Sequence, residues 1–148
     1  MTDDLAAARR REFDFWIGEW EVTDPDGDVV GTNRIASMID GFALHEAWTG
    51  RSGIRGTSSS AYVASRDVWH QTWIDTSGSL LLLEGGLRDG AMVLEGLETD
   101  QASDTTTRHR ITWTPTAAGG VRQHWETSVD GGATWTTAFD GRYRRRKG

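Results

Sequence analysis

The chain predicts an all-β fold of about ten antiparallel strands closed into an up-and-down barrel, preceded by a short N-terminal helix. Three observations carry this expectation. Eighteen Gly and eight Trp against two Pro in 148 residues describe a turn-rich β protein rather than a helical bundle. Gly- and Asp-containing separators recur at short intervals and leave no room for crossover helices. Consecutive hairpins then form a meander, and closing ten strands removes both exposed edges. A two-sheet sandwich is the alternative architecture. One domain is expected over residues 1–148, helical over 1–15 and barrel over 16–145.

The elements follow in order. Asp3 and Asp4 begin the helical segment and Arg9, Arg10 and Arg11 end it, complementing the helix dipole. Phe13, Phe15 and Trp16 follow as anchors over an opening or against the sheet. Pro25-Asp26-Gly27-Asp28 separates strands at 19–24 and 29–39, and Asp40-Gly41 leads into 42–49. Further strands are expected at 55–64, 68–75, 79–86 and 90–98, then 106–114, 120–129 and 134–145. Their separators include Ser77-Gly78, Asp89-Gly90, residues 117–120 and residues 130–132.

Composition narrows the chemistry. The absence of Cys excludes thiolate catalysis, disulfides and cysteine metal sites. The only Lys, Lys147, is next to last, which argues against a Schiff-base mechanism. A net charge of −6 gives no footprint for nucleic acid or an anionic membrane. No apolar run approaches a spanning length, and Met1-Thr2-Asp3-Asp4 lacks the regions of a signal peptide, so a cytoplasmic protein is expected.

The most informative stretch is Val68-Trp69-His70-Gln71-Thr72-Trp73-Ile74-Asp75. At a period of two, one face carries Trp69, Gln71, Trp73 and Asp75. A dry core rarely places an amide and a carboxylate in line with two indoles, because buried polar groups need partners. A cavity wall accommodates that mixture. Gln123 and Trp125 share a similar mixed face, and Tyr62 shares one with Ser58 and Ser60.

Glu46 lies on a face with Phe42, Leu44 and Trp48. Turned inward, its carboxylate requires a partner or a raised pKa. Arg34 and Arg110 are the leading candidates for that partner. Such a pair serves equally as architecture or as an anchor for the polar end of a ligand.

Other motifs carry less chemistry. Ser128-Val129-Asp130-Gly131-Gly132-Ala133-Thr134-Trp135 matches the Asp-box pattern, a self-braced hairpin expected to be structural. His45, His70, His109 and His124 form no metal-binding unit, and a satisfied or exposed imidazole is expected for each. On parity, His70 opposes the Trp69–Trp73 face. The basic residues Arg142, Arg144, Arg145, Arg146 and Lys147 read as a solvated strand end.

Several segments together resemble an uncharacterised bacterial family of lipocalin-like barrels. They are Phe13-Asp14-Phe15-Trp16-Ile17-Gly18-Glu19-Trp20-Glu21-Val22, Gly41-x-x-Leu44-x-Glu46-x-Trp48, Gly56-x-Ser58-x-x-x-Tyr62, Trp69-x-Gln71-x-Trp73-x-Asp75, Ser128 to Trp135, and Phe139-Asp140-Gly141-Arg142-Tyr143. The resemblance implies a calycin-type antiparallel barrel, a class that commonly holds small apolar or amphipathic molecules.

The sequence therefore points to a barrel that binds a small apolar or amphipathic molecule. Trp20, Trp48, Trp69, Trp73 and Trp125 would supply aromatic walls, with Glu46, Tyr62, Gln71, Arg110 and Gln123 fixing orientation. The alternative is a cofactor-independent isomerase, cyclase or hydratase, with Glu46 and Tyr62 in acid–base roles and Arg110 polarising a carbonyl or enolate. A haem barrel is a third candidate, since an imidazole can ligate iron. The leading expectation has no cofactor, metal, nucleic-acid or membrane partner, and leaves homo-oligomerisation open.

Overall fold

The computed structural model describes residues 3–146; Met1, Thr2, Lys147 and Gly148 lie outside the described residues. Helix α1 spans Asp3–Arg9, and a separate 3₁₀ turn follows at Asp14–Trp16. The strands are β1 (Gly18–Thr23), β2 (Val29–Met38), β3 (Ala43–Gly50), β4 (Arg55–Val63) and β5 (Val68–Asp75). They continue as β6 (Leu80–Arg88), β7 (Ala91–Asp100), β8 (Thr105–Pro115), β9 (Val121–Ser128) and β10 (Thr136–Arg145). Each strand pairs antiparallel with its neighbours in sequence, and β1 pairs with β10 to close the barrel. The expected ten-stranded up-and-down barrel is the observed fold.

Strand ends shift by one or two residues from the sequence expectation, and two of these shifts have clear local causes. Ile39, Asp40 and Gly41 all have positive φ (46°, 60° and 85°), so the chain spends three residues turning before β3. Phe42 is thereby left outside the strand, exposed, with the Arg10 guanidinium 4.1 Å from its ring centre. The last strand starts at Thr136 rather than 134 because the braced loop continues to Trp135. In that loop Ser128 Oγ donates to Asp130 Oδ1 at 2.7 Å, and Asp130 Oδ1 accepts from the Thr134 amide at 2.9 Å. These bonds to Thr134 and Ser128 hold the Asp130 carboxyl down at about 2.

The two ends of the barrel are built differently. The turns after β2, β4, β6 and β8 share one end, where the N-terminal segment docks. Arg9 reaches Asp67 in the β4–β5 turn at 3.3 Å, and its carbonyl accepts from Trp69 Nε1 at 3.2 Å. Phe13 stacks on Trp16 at 4.8 Å and meets Trp69 and Trp113 edge-on at 5.7 and 5.1 Å. Trp20 donates its indole N–H to the Trp16 carbonyl at 2.8 Å. These five rings are essentially inaccessible to solvent, and burial of the Phe13 ring alone contributes about 2–3 kcal/mol. The opposite end, bearing the turns after β1, β3, β5, β7 and β9, has no comparable cover among the described residues.

Candidate functional site

The strand period decides what faces the lumen. On β5, Trp69 and Gln71 are buried and Trp73 is half-buried, while His70 and Thr72 point away and bond each other at 2.8 Å. On β3, Leu44, Glu46 and Trp48 turn inward between exposed His45 and Ala47. These residues reach a cavity of about 100 Å³ in the half of the barrel away from the helix. Its apolar wall consists of Trp48, Trp73, Trp125, Phe139, Leu81 and Ile111, and its polar wall of Glu46, Gln71, Gln123 and Tyr143.

Two glycines make the aromatic wall. A Cβ on Gly56 would collide with the ring of Trp73, and one on Gly31 would come within 2.5 Å of the ring of Trp48. Each indole therefore lies flat over a bare stretch of the neighbouring strand, which only glycine permits. On β10 the register shifts between Thr137 and Phe139. That bulge places Phe139 on the inward side, with its ring edge-on to Trp48 at 5.9 Å. Trp125 is fixed from behind: its Nε1 donates to His109 Nδ1 at 3.0 Å, and His109 Nε2 then donates to Glu98 Oε1 at 3.0 Å.

The polar wall is a directed hydrogen-bond chain. Asn33 Nδ2 donates both to Glu46 Oε2 at 2.7 Å and to Tyr143 Oη at 2.9 Å. Tyr143 in turn donates to Gln123 Oε1 at 2.6 Å. Ser58 Oγ donates to the other carboxylate oxygen, Oε1, at 2.7 Å. Burial raises the Glu46 carboxyl to about 6, against the lowering effect of the Asn33 and Ser58 bonds. Burial also pushes the Tyr143 phenol well above its ordinary value, so it stays protonated. Gln71 donates Nε2 to Ser60 Oγ at 3.0 Å, and its Oε1 accepts no bond among the described residues.

Of the residues singled out in the sequence, Glu46, Trp48, Gln71, Trp73, Gln123 and Trp125 come together around this cavity. Four others lie elsewhere. Trp20 and Trp69 belong to the packed core beneath the helix, not to the cavity wall. Tyr62 shares the inward parity of Ser58 and Ser60 but lies at the helix end, where its hydroxyl donates to Asp67 at 2.7 Å. Its phenol is pushed up to about 12 by desolvation and by the Asp67 carboxylate.

Arg110 requires the clearest correction. His109, Ile111 and Trp113 are the buried face of β8, so Arg110 between them points out of the barrel. It pairs with Glu126 at 3.2 Å and lies 4.0 Å from the ring centre of Trp135. Arg34 is likewise external, 3.8 Å from Glu19. Neither arginine partners Glu46. The buried carboxylate is accommodated by neutral donors and a raised pKa, one of the two outcomes the sequence left open, and the ion pair with an arginine does not form.

Asn33 and Tyr143 were not singled out from the sequence, although each had a signal. Asn33 alternates with buried Gly31 and Ile35, and Tyr143 alternates with Gly141. A lone Asn or Tyr on a strand gives no hint of a partner across the barrel until closure brings β2, β3 and β10 together.

The site does not fit haem. The buried imidazole, His109, has both ring nitrogens engaged, and a space of about 100 Å³ is far too small for a porphyrin. Among the described residues, no three His, Asp or Glu side chains gather as a metal site. No helix is long and apolar enough to cross a membrane. No protein-family model matches the chain. Comparison with curated proteins also finds no match.

Proposed function

We propose that this calycin-like, lipocalin-like barrel binds a small amphipathic molecule that enters through the end opposite the helix. One observation carries the proposal: a cavity faced by three indoles and a phenyl ring on one side and by Glu46, Gln71, Gln123 and Tyr143 on the other. Convergent polar groups set in an aromatic wall are what small-molecule sites require. The volume limits the occupant. Ordinary drug-sized pockets enclose roughly 300–1,000 Å³, so about 100 Å³ admits a compact molecule or the head of a longer one. Native mass spectrometry of the purified protein tests this directly. A retained small molecule that shifts tryptophan emission on rebinding supports it. Unliganded protein whose emission no small amphiphile alters would overturn it. We also propose a cytoplasmic location, which cell fractionation would check.

A second proposal is a cofactor-independent isomerase, cyclase or hydratase. It rests on Glu46 alone, since a carboxyl held near 6 in a cavity is suited to proton transfer near neutral pH. Tyr62 and Arg110 do not reach that cavity. Turnover of a bound metabolite lost in Glu46→Gln, with binding retained, would separate catalysis from carriage.

A further inference from the structure

Among the described residues, the cavity is lined by one carboxyl and by no cationic side chain. Among the described residues lining it, Glu46 is the only one that carries charge near neutral pH. The neighbouring strands do not neutralise it. β2 faces it with Asn33 and Ile35, and β4 with Ser58 and Ser60. Across the lumen, β10 presents the neutral phenol of Tyr143. The nearby arginines, Arg34 and Arg110, are turned outward into their own ion pairs. The closest buried imidazole, His109, lies behind Trp125 and directs its proton to Glu98.

Three ligand classes can be weighed against this wall. An anionic head would meet a buried carboxylate at low dielectric and be repelled. A purely apolar head would bury the Glu46 charge with only the neutral donors Asn33 and Ser58 beside it and leave Gln71 Oε1 without a partner. A cationic head would pair with Glu46, donate to Gln71 Oε1 and lie among aromatic faces that favour positive charge. Only the last satisfies both walls at once. Resting on the binding function proposed above, we infer that the ligand is an organic ammonium: a protonated or methylated amine on a small apolar body, its charged end against Glu46 and its tail toward the mouth.

The test uses three probes of matched size, n-butylammonium, 1-butanol and butyrate, titrated at pH 7.5 and followed by tryptophan fluorescence and calorimetry. Butylammonium should bind at least tenfold more tightly than butanol, and butyrate more weakly than either. In Glu46→Gln the ammonium preference should collapse to within about threefold of the alcohol. Trp48→Leu, which keeps the carboxylate, should weaken butylammonium more than butanol. Lowering the pH to 5 should weaken butylammonium several-fold and leave butanol unchanged. Butanol binding as well as or better than butylammonium would overturn the cation and leave the cavity function standing. Binding of butyrate in preference to both would do the same. Failure of all three probes to bind or to alter fluorescence would overturn the inference and count against the cavity function as well.

Discussion

Asn33 Nδ2 bridges Glu46 Oε2 at 2.7 Å and Tyr143 Oη at 2.9 Å, so one amide from β2 ties the acid of β3 to the phenol of β10. The same side chain serves stability and the cavity. Replacing it by Ala leaves a buried carboxylate short of a donor, a loss of about 1–3 kcal/mol. Because the Asn33 bond lowers the Glu46 pKa, Asn33→Ala should also move it above about 6. Chemical denaturation measures the first effect, and carbon NMR titration of the Glu46 carboxyl measures the second.

Folding stability should rise as the solution is acidified through the Glu46 transition. Its folded pKa, about 6, lies above the ordinary 4.5. The folded state therefore binds more protons between those values, and stability falls as pH increases through that window. The difference corresponds to ~2 kcal/mol. Denaturation curves at pH 4.5 and 7 in the native protein and in Glu46→Gln isolate it, since the variant should lose this component of the slope. Glu84, held at about 2 chiefly by Arg66, does not titrate in that interval.

Gly56→Ala should be disruptive out of proportion to one methyl group. The new Cβ would occupy the space of the Trp73 ring, and overpacking of this kind costs about 1–3 kcal/mol. The indole should be displaced from its seat on Gly56 into the lumen, with altered emission and a smaller cavity. Unchanged emission and stability would show that the ring rests elsewhere.

His109→Leu should free Trp125. Its indole donates to His109 Nδ1 at 3.0 Å, and loss of one such bond costs about 1 kcal/mol. The Trp125 Nε1 proton should shift and broaden in the NMR spectrum. Binding of a retained ligand should weaken without loss of fold.

Leu81→Ala should enlarge the cavity beside Trp73, its neighbour across β5 and β6. Leu81 is 5 % exposed, and such truncations typically cost about 2–5 kcal/mol. The variant should be less stable yet accept a bulkier head than the native protein. Thermal melts with a series of branched amphiphiles would show both effects.

The sequence made the barrel legible because period-two alternation and turn residues are local signals, and nearly every hairpin announced itself through Gly or Asp. The inward face of β5 was readable for the same reason: Trp69, Gln71 and Trp73 share one parity. What parity cannot give is depth along the barrel axis. Trp69 and Trp73 lie on the same face, yet one packs under Phe13 and the other lines the cavity. The distinction depends on which end the N-terminal segment covers. Arg110 was misassigned because a buried acid suggests a charged partner, whereas Asn33 and Ser58 from adjacent strands met the need without one. The bulge before Phe139 likewise shifts parity by a step that no residue in Thr136-Thr137-Ala138 declares.

The aromatic floor formed by Phe13, Trp16, Trp69 and Trp113 makes the barrel a vessel with a single door. On the binding function proposed above, a molecule that enters by the open end would leave by it, in reverse order and tail first. Dwell time would then be governed by the rim, by how readily Trp48, Trp73 and Phe139 yield, rather than by any motion of the floor.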